Sequence, residues 1–125
     1  MATVEVRAAT FEDTIANGVV LVDWWAPWCG PCRAFAPVYE AASSRHPDVV
    51  FAKVDTEAEP ELAGELQIRA IPTLMIFRDG ILLFVQSGVL PAEALDELVA
   101  QVRRVDMDEV RREIAAGLAS ERSAG

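Results

Sequence analysis

The sequence contains only two cysteines, one histidine and one lysine in 125 residues, and these shortages exclude several kinds of protein. A tetrahedral zinc site usually needs four Cys or His ligands, and this chain has three such residues in all. Its apolar runs, such as 81–85, are too short to span a bilayer, so no membrane association is expected. Eleven basic residues against twenty acidic ones give a net charge of −9, which argues against nucleic-acid binding.

What the chain does contain is enough apolar material for one packed core. Hydrophobic residues make up 52% of its length, and we expect a monomer whose negative charge serves solubility. Glu5 and Arg7 interrupt the N-terminus before an apolar region develops, so no signal peptide is expected and a cytoplasmic location is predicted. In that compartment, paired cysteines are usually catalytic rather than structural.

The two cysteines, Cys29 and Cys32, are separated by Gly30 and Pro31, at the junction of an apolar strand and an amphipathic helix. A thiol at a helix start faces unpaired backbone N–H groups and the positive end of the helix dipole, which favour its thiolate. Cys29 is therefore predicted to attack, and Cys32 to close a short disulfide on it. Pro31 suits the first helical turn. A structural disulfide is the alternative, but one closing so short a loop adds little stability.

Hydrophobic periodicity predicts an α/β fold with alternating strands and helices, followed by a hairpin and a further helix. Thr10 and Asp13 are typical of a helix start, and Asp79-Gly80 is typical of a hairpin turn. The predicted strands cover 3–7, 19–25, 49–55, 73–77 and 81–87, and the predicted helices begin near residues 10, 32, 60 and 91. This order predicts a mixed sheet between helices, with parallel strands first and an antiparallel pair after them.

Residues 103–125 predict one more helix and then a disordered end. Met107, Val110, Ile114 and Leu118 form a narrow apolar stripe on this helix. An isolated helix of about three turns is marginal, so the stripe should dock. Packing on the domain's own surface is favoured, and a partner or a second copy is the alternative. Asp108 and Arg112 are spaced to form an i, i+4 ion pair.

Two segments of the chain resemble the thioredoxin family. Residues 22–33, VDWWAPWCGPCR, resemble its active-site segment, and residues 69–80, RAIPTLMIFRDG, resemble its proline loop and the following hairpin. Both occur in the family's order and spacing. The resemblance covers about residues 3–102, and implies a thioredoxin domain over 1–102 with a C-terminal helical extension over 103–125. The implied fold is a central mixed sheet with helices on both faces.

The resemblance implies a protein-disulfide reductase that acts by dithiol–disulfide exchange on disulfide-containing substrate proteins. Its implied partner is thioredoxin reductase, a separate flavin enzyme that uses NADPH, while this chain has no G-x-G-x-x-G unit and no expected cofactor. A thiol oxidase or disulfide isomerase of a secretory compartment is one alternative. A binding module that uses the fold for protein contact is another.

Asp23 and Lys53 are charged residues within strands that are otherwise apolar. An isolated buried carboxylate has a raised pKa unless a cation compensates it. The resemblance implies that Asp23 accepts the proton of Cys32 and that Lys53 assists. The alternative is that both residues lie at strand ends and reach water.

The resemblance also implies a set of substrate-binding residues. Ile71 and Pro72 would be joined by a cis peptide bond, and the Ile71 backbone would pair with an extended segment of the substrate. Trp28 is expected to form an exposed apolar surface. Gly88 would let a substrate chain approach closely, although a turn explains a glycine there nearly as well. Gly30 and Pro31, between the cysteines, complete the set.

Overall fold

The computed structural model describes residues 2–124, and the side chains among them as far as residue 118. Within these residues, five strands and five helices follow one another along the chain. They are β1 (Thr3–Glu5), α1 (Ala8–Ile15), β2 (Val19–Trp25), α2 (Gly30–Arg45), β3 (Val50–Asp55), α3 (Pro60–Glu65), β4 (Thr73–Arg78), β5 (Ile81–Ser87), α4 (Ala92–Arg104) and α5 (Met107–Ala124). The predicted order of strands and helices is confirmed.

The strands form one mixed sheet in the order β1-β3-β2-β4-β5. Strands β1, β3 and β2 are parallel to one another, and β4 pairs antiparallel with both β2 and β5. Helices α2 and α4 bury one face of the sheet, and α1 and α3 bury part of the other. This architecture confirms the predicted fold class, with helices on both faces of a mixed sheet.

Strand β2 lies in the middle of the sheet, and this position accounts for its apolar sequence. Val20, Val22 and Trp24 pack into the core under α1 and α3. Leu21 points to the opposite face and packs under α2 and α4. Because successive side chains of a strand alternate between faces, Asp23 lies on the same side as Leu21 and therefore under α2.

Two predicted helix starts differ from the structure. Helix α1 begins at Ala8 with Arg7 as its N-cap, so the prediction of Thr10 as N-cap is wrong. The Thr10 side chain instead lies within the helix and donates to the Arg7 carbonyl. Helix α2 begins at Gly30, two residues before the predicted start, because Cys29 itself is the N-cap.

Helix α5 differs from its prediction in one ion pair. It runs as far as Ala124, and Gly125 lies outside the described residues, so the predicted disordered end stays a prediction. The predicted pair of Asp108 with Arg112 is wrong. Asp108 pairs with Arg111 and Glu109 with Arg112, each at a spacing of three residues.

The apolar stripe of α5 packs on the domain only at its beginning. Met107 is buried and Val110 is half-buried, whereas Ile114 and Leu118 are 45% and 49% exposed. Arg111 reaches Asp79 in the hairpin turn at 3.6 Å and holds the same end of the helix. Packing on the domain's own surface therefore accounts for about half of the stripe.

Tyr39 fastens α2 to the sheet beside the site described below. Its fully buried hydroxyl donates to the Ala52 carbonyl at 2.7 Å. We expect Tyr39→Phe to lower the free energy of unfolding by about 1–2 kcal/mol, because a buried hydrogen bond is lost without a change of shape. Urea denaturation measures the loss. Ser43→Ala is the control, since that hydroxyl bonds only within α2, to Glu40. An unchanged midpoint in Tyr39→Phe would contradict the expectation.

Candidate active site

The candidate site is a disulfide at the N-terminus of α2. Cys29 and Cys32 are bonded to each other, and their Cα atoms are 5.2 Å apart. Cys29 has extended backbone angles, and its sulfur accepts a hydrogen bond from the backbone N–H of Cys32 at 3.2 Å. A sulfur in this position occupies the place of an N-cap oxygen and satisfies one of the unpaired donors at the helix start. In general, an N–H donor and the helix dipole at such a position favour the thiolate of a cysteine over its thiol.

Little of either cysteine is open to solvent in the disulfide form. Cys29 is 4% and Cys32 3% exposed, and both pack with Ala26, Trp25 and Ile71 in a small cluster of their own. The Cys29 sulfur lies 3.9 Å from the carbonyl oxygen of Ile71. Exposed area therefore distinguishes the two sulfurs poorly. The hydrogen bond at the helix start, which only the Cys29 sulfur accepts, distinguishes them well.

Asp23 is buried beneath α2, and the sequence alternative in which it reaches water is wrong. The residue is 1% exposed, and neither carboxylate oxygen has a hydrogen-bond partner among the described residues. Burial raises the pKa of Asp23 to about 7, the Lys53 cation acts against this rise, and the Glu5 carboxylate adds to it. A carboxyl group that titrates near neutral pH is suited to proton transfer.

Lys53 lies beside Asp23 on the neighbouring strand. The two residues are register partners on β2 and β3. The Lys53 ammonium lies 4.7 Å from the centroid of the Trp25 ring, and no hydrogen bond joins it to Asp23 in the described part of the chain. Lys53 therefore stabilises a charged Asp23 through its field rather than by direct contact.

Glu5 is a further charged residue beside Lys53 that was not predicted from the sequence to belong to the site. Glu5 is the register partner of Lys53 on its other side, so Glu5, Lys53 and Asp23 form one row across β1, β3 and β2. Loss of water against the sheet raises the pKa of Glu5 as well, and Lys53 opposes that rise. The only lysine of the chain thus serves two carboxylates. The alternation in 3–7 placed Glu5 on a strand, but it gave no register against β3.

The proline loop borders the cysteines. The Ile71–Pro72 peptide bond is cis, as the resemblance implied. The backbone N–H of Gly88 donates to the Pro72 carbonyl at 2.8 Å, which brings the residue after β5 to the same place. Gly88 has φ +100°, and no atom lies within 4 Å of where a Cβ would stand. The backbone turn therefore favours glycine there, and the space above it is open.

Trp28 forms the opposite wall of the site. It is 62% exposed, as predicted, whereas Trp24 is fully buried. The Trp28 indole N–H donates to the carboxylate of Glu57, a residue that sequence analysis did not select. Trp28 also lines a cavity of about 210 Å³ whose other walls come from Thr56 and 68–71. Gly30 and Pro31 are exposed at the start of α2.

Two further features are absent from the part of the chain that the structure describes. No group of three or more His, Cys, Asp or Glu side chains there is placed to hold a metal ion. None of the helices there is both long and apolar enough to cross a membrane.

The fold and the disulfide at the start of α2 define a thiol–disulfide oxidoreductase. The family model described as "Thioredoxin" matches residues 2–110. A protein named "Putative thioredoxin 2" from Streptomyces coelicolor is 53% identical over 114 residues, covering 90% of this chain and 85% of that one. The thioredoxin of Bacillus subtilis is 41% identical over 100 residues, covering 79% and 96%.

A solved structure is similar along most of its length. It comes from work on the thiol-resolving mechanism of yeast mitochondrial 1-Cys peroxiredoxin via glutathione/thioredoxin systems. The TM-score is 0.73 at 27% identity, with 80% of this chain and 95% of that chain covered. The chain belongs to the thioredoxin family, and it is a protein-disulfide reductase.

Proposed function

We propose that this chain reduces disulfides in partner proteins, with Cys29 as the nucleophile and Cys32 as the resolving thiol. The Cys29 thiolate attacks one sulfur of the partner disulfide, forming a mixed disulfide and releasing the other partner sulfur as a thiolate, which takes up a proton. The Cys32 thiolate then attacks the Cys29 sulfur, which releases the second partner sulfur and leaves the Cys29–Cys32 disulfide. The observation that supports this assignment is the backbone N–H of Cys32, which donates to the Cys29 sulfur.

Asp23 is proposed to accept the proton of Cys32 before the second attack. It lies under α2, the helix that carries Cys32, and burial holds its pKa at about 7. A base with a pKa near the working pH combines availability with driving force. Lys53 is proposed to keep the charged form of Asp23 accessible, because without that cation the buried carboxylate would titrate at still higher pH.

The substrate segment is proposed to bind between Trp28 and the proline loop. Trp28 offers an exposed apolar surface, and the Ile71 backbone lies beside the Cys29 sulfur. The open space above Gly88 accommodates a second backbone there. Gly30 and Pro31, which are exposed at the start of α2, complete the proposed contact surface. An added strand gains affinity from main-chain hydrogen bonds and so accepts many sequences.

The cycle is proposed to be completed in the cytoplasm by thioredoxin reductase. Each turnover leaves this chain oxidised, so two electrons must come from a separate NADPH-dependent flavin enzyme. No cofactor is proposed to bind this chain, because thiol exchange needs only the two sulfurs and a proton acceptor. The chain is proposed to act as a monomer.

Reduction of insulin with NADPH and a bacterial thioredoxin reductase tests the proposal. We expect NADPH oxidation and insulin precipitation that depend on this chain, and neither with the Cys29→Ser/Cys32→Ser double variant. A wild-type chain no more active than that variant would reject the proposal. A strongly oxidising redox potential, measured against glutathione, would instead favour the thiol oxidase or isomerase alternative. Survival of the cellular role in the double variant would favour a binding module.

A further inference from the structure

Strand β5 leaves part of the sheet uncovered on the side of α1 and α3. On β4, Met75 and Phe77 are buried under these two short helices. Their register partners on β5, Val85 and Leu82, are 51% and 40% exposed. Because register partners point to the same face, the apolar face continues from β4 onto β5 while its helical cover does not.

A cavity of about 360 Å³ lies over this uncovered part of the sheet. Met75 lines it from β4, Leu82 and Val85 from β5, and Leu66 and Ile68 from the end of α3 and the loop that follows. The volume lies within the range of sites that hold a small molecule or a large side chain. Six of its ten lining residues are apolar and favour an aliphatic or aromatic group, and the other four are Gln67, Arg69, Thr73 and Ser87.

This β5 cavity adjoins the cavity beside Trp28 at the candidate site. It shares Ile68, Arg69 and Ala70 with the 210 Å³ cavity beside Trp28. The next residue, Ile71, packs against the cysteines. A substrate segment that leaves Cys29 along residues 68–70 therefore passes from the first cavity into the second.

The positive charge of Arg69 limits which substrate segments fit these two cavities. Arg69 is exposed, lines both cavities, and is the one charged residue among the described residues that line either. No carboxylate within the described range forms an ion pair with it, whereas five other arginines have such partners. Strand β5 itself, ILLFVQS, carries no charged residue to oppose association along the sheet edge.

Building on the proposed function, we propose that the two cavities form one extended substrate groove. The β5 cavity takes an apolar side chain of the substrate protein, several residues from the attacked cysteine, and Arg69 takes an acidic residue beside it. The groove would thereby select among disulfides that the sulfurs alone cannot distinguish.

A peptide series tests this directly. Each peptide of about twelve residues has one central cysteine, activated as a mixed disulfide with 2-nitro-5-thiobenzoate, in a Ser/Ala background. A Leu-Glu pair is moved through positions three to seven on either side, with Ser-Lys as the paired comparison. Release of the yellow thiolate by the reduced protein gives the rate. We expect one placement of Leu-Glu to react about tenfold faster than Ser-Lys.

Three variants assign that preference to the groove. Val85→Ser and Leu82→Ser should each remove about three- to tenfold of the Leu advantage, and Arg69→Gln about threefold of the Glu advantage. Val50→Ser is the matched control, because Val50 is 37% exposed at the start of β3, at the end of the sheet away from the cysteines. The control and all three variants should reduce 2,2′-dithiodipyridine, a small uncharged disulfide, at the wild-type rate.

The inference is overturned if no placement of Leu-Glu is preferred, or if the preference persists in both β5 variants. It is also overturned if sedimentation shows a wild-type dimer that Val85→Ser dissociates, because a second copy then covers this face. Inactivity of the wild type toward 2,2′-dithiodipyridine would instead reject the proposed function. The two failures are therefore distinguishable.

Discussion

Replacing Cys32 with serine is expected to stop turnover and to trap partner proteins on Cys29. The variant keeps the nucleophile but loses the thiol that resolves the mixed disulfide, so the first step proceeds and the second does not. We expect the insulin-reduction rate to fall by at least about 10³-fold. Non-reducing gels of a lysate treated with the variant should show adducts that dithiothreitol releases.

The reciprocal variant is the control for this assignment. Cys29→Ser keeps Cys32, which is 3% exposed in the disulfide form and whose sulfur does not occupy the helix cap. It should therefore trap little. Adducts that form through Cys32 in Cys29→Ser, and none in Cys32→Ser, would reverse the proposed roles of the two sulfurs.

Asp23→Asn is expected to change the pH dependence of stability. The pKa of Asp23 is about 7 in the folded chain against 3.8 for an ordinary aspartate, so between these pH values the folded state holds the extra proton. The stability from this group is complete below pH 3.8 and is lost as pH rises to about 7. Relative to wild type, the variant should gain up to roughly 4 kcal/mol of unfolding free energy across that interval.

Urea denaturation of the oxidised proteins at pH 4.5 and pH 8.5 measures this gain. Other carboxylates, such as Asp48 and Asp96, have lowered pKa values and also make stability depend on pH. Their contribution to the free energy of unfolding is the same in both proteins, so it cancels when variant and wild type are compared at each pH. Asp13→Asn, on exposed surface of α1, is the matched control and should show the same difference at both pH values. A pH-independent difference for Asp23→Asn would contradict the raised pKa.

The same substitution should slow the second chemical step. Without the carboxylate, Cys32 must lose its proton to water, and we expect release of the reduced partner to slow by about tenfold or more near pH 7. Formation of the mixed disulfide by Cys29 should change little. Stopped-flow fluorescence separates the two steps, and equal slowing of both would show that Asp23 acts on the whole site rather than on Cys32.

The sheet was largely predictable because its strands consist mostly of apolar residues. The run 19–25 predicts a strand buried on both faces, and its packing into both cores confirms this. Asp79-Gly80 predicts the hairpin, and both residues have positive φ. The extent of α5 was not predictable from periodicity, because 119–124 contain no large apolar residue to mark one face.

The candidate site, too, was predictable only in part from the sequence. The spacing of Cys29 and Cys32, and a carboxylate inside an apolar strand, are visible in the sequence. The row of Glu5 with Lys53 and the hydrogen bond from Trp28 to Glu57 are not, because both depend on how separate segments align in space. The cavity over β5 is of the same kind, since it arises from how far two short helices extend across the sheet.

The lone lysine has a consequence for anyone who labels this protein. Lys53 carries the only side-chain amine of the chain, and it lies against Trp25 in the row that contains Asp23. Amine-reactive dyes, biotin esters and coupling resins therefore have two kinds of target, the α-amino group and the lysine beside the buried carboxylate of the candidate site. Attachment through an engineered surface handle avoids this lysine, whereas conventional amine chemistry removes the charge that is proposed to stabilise ionised Asp23.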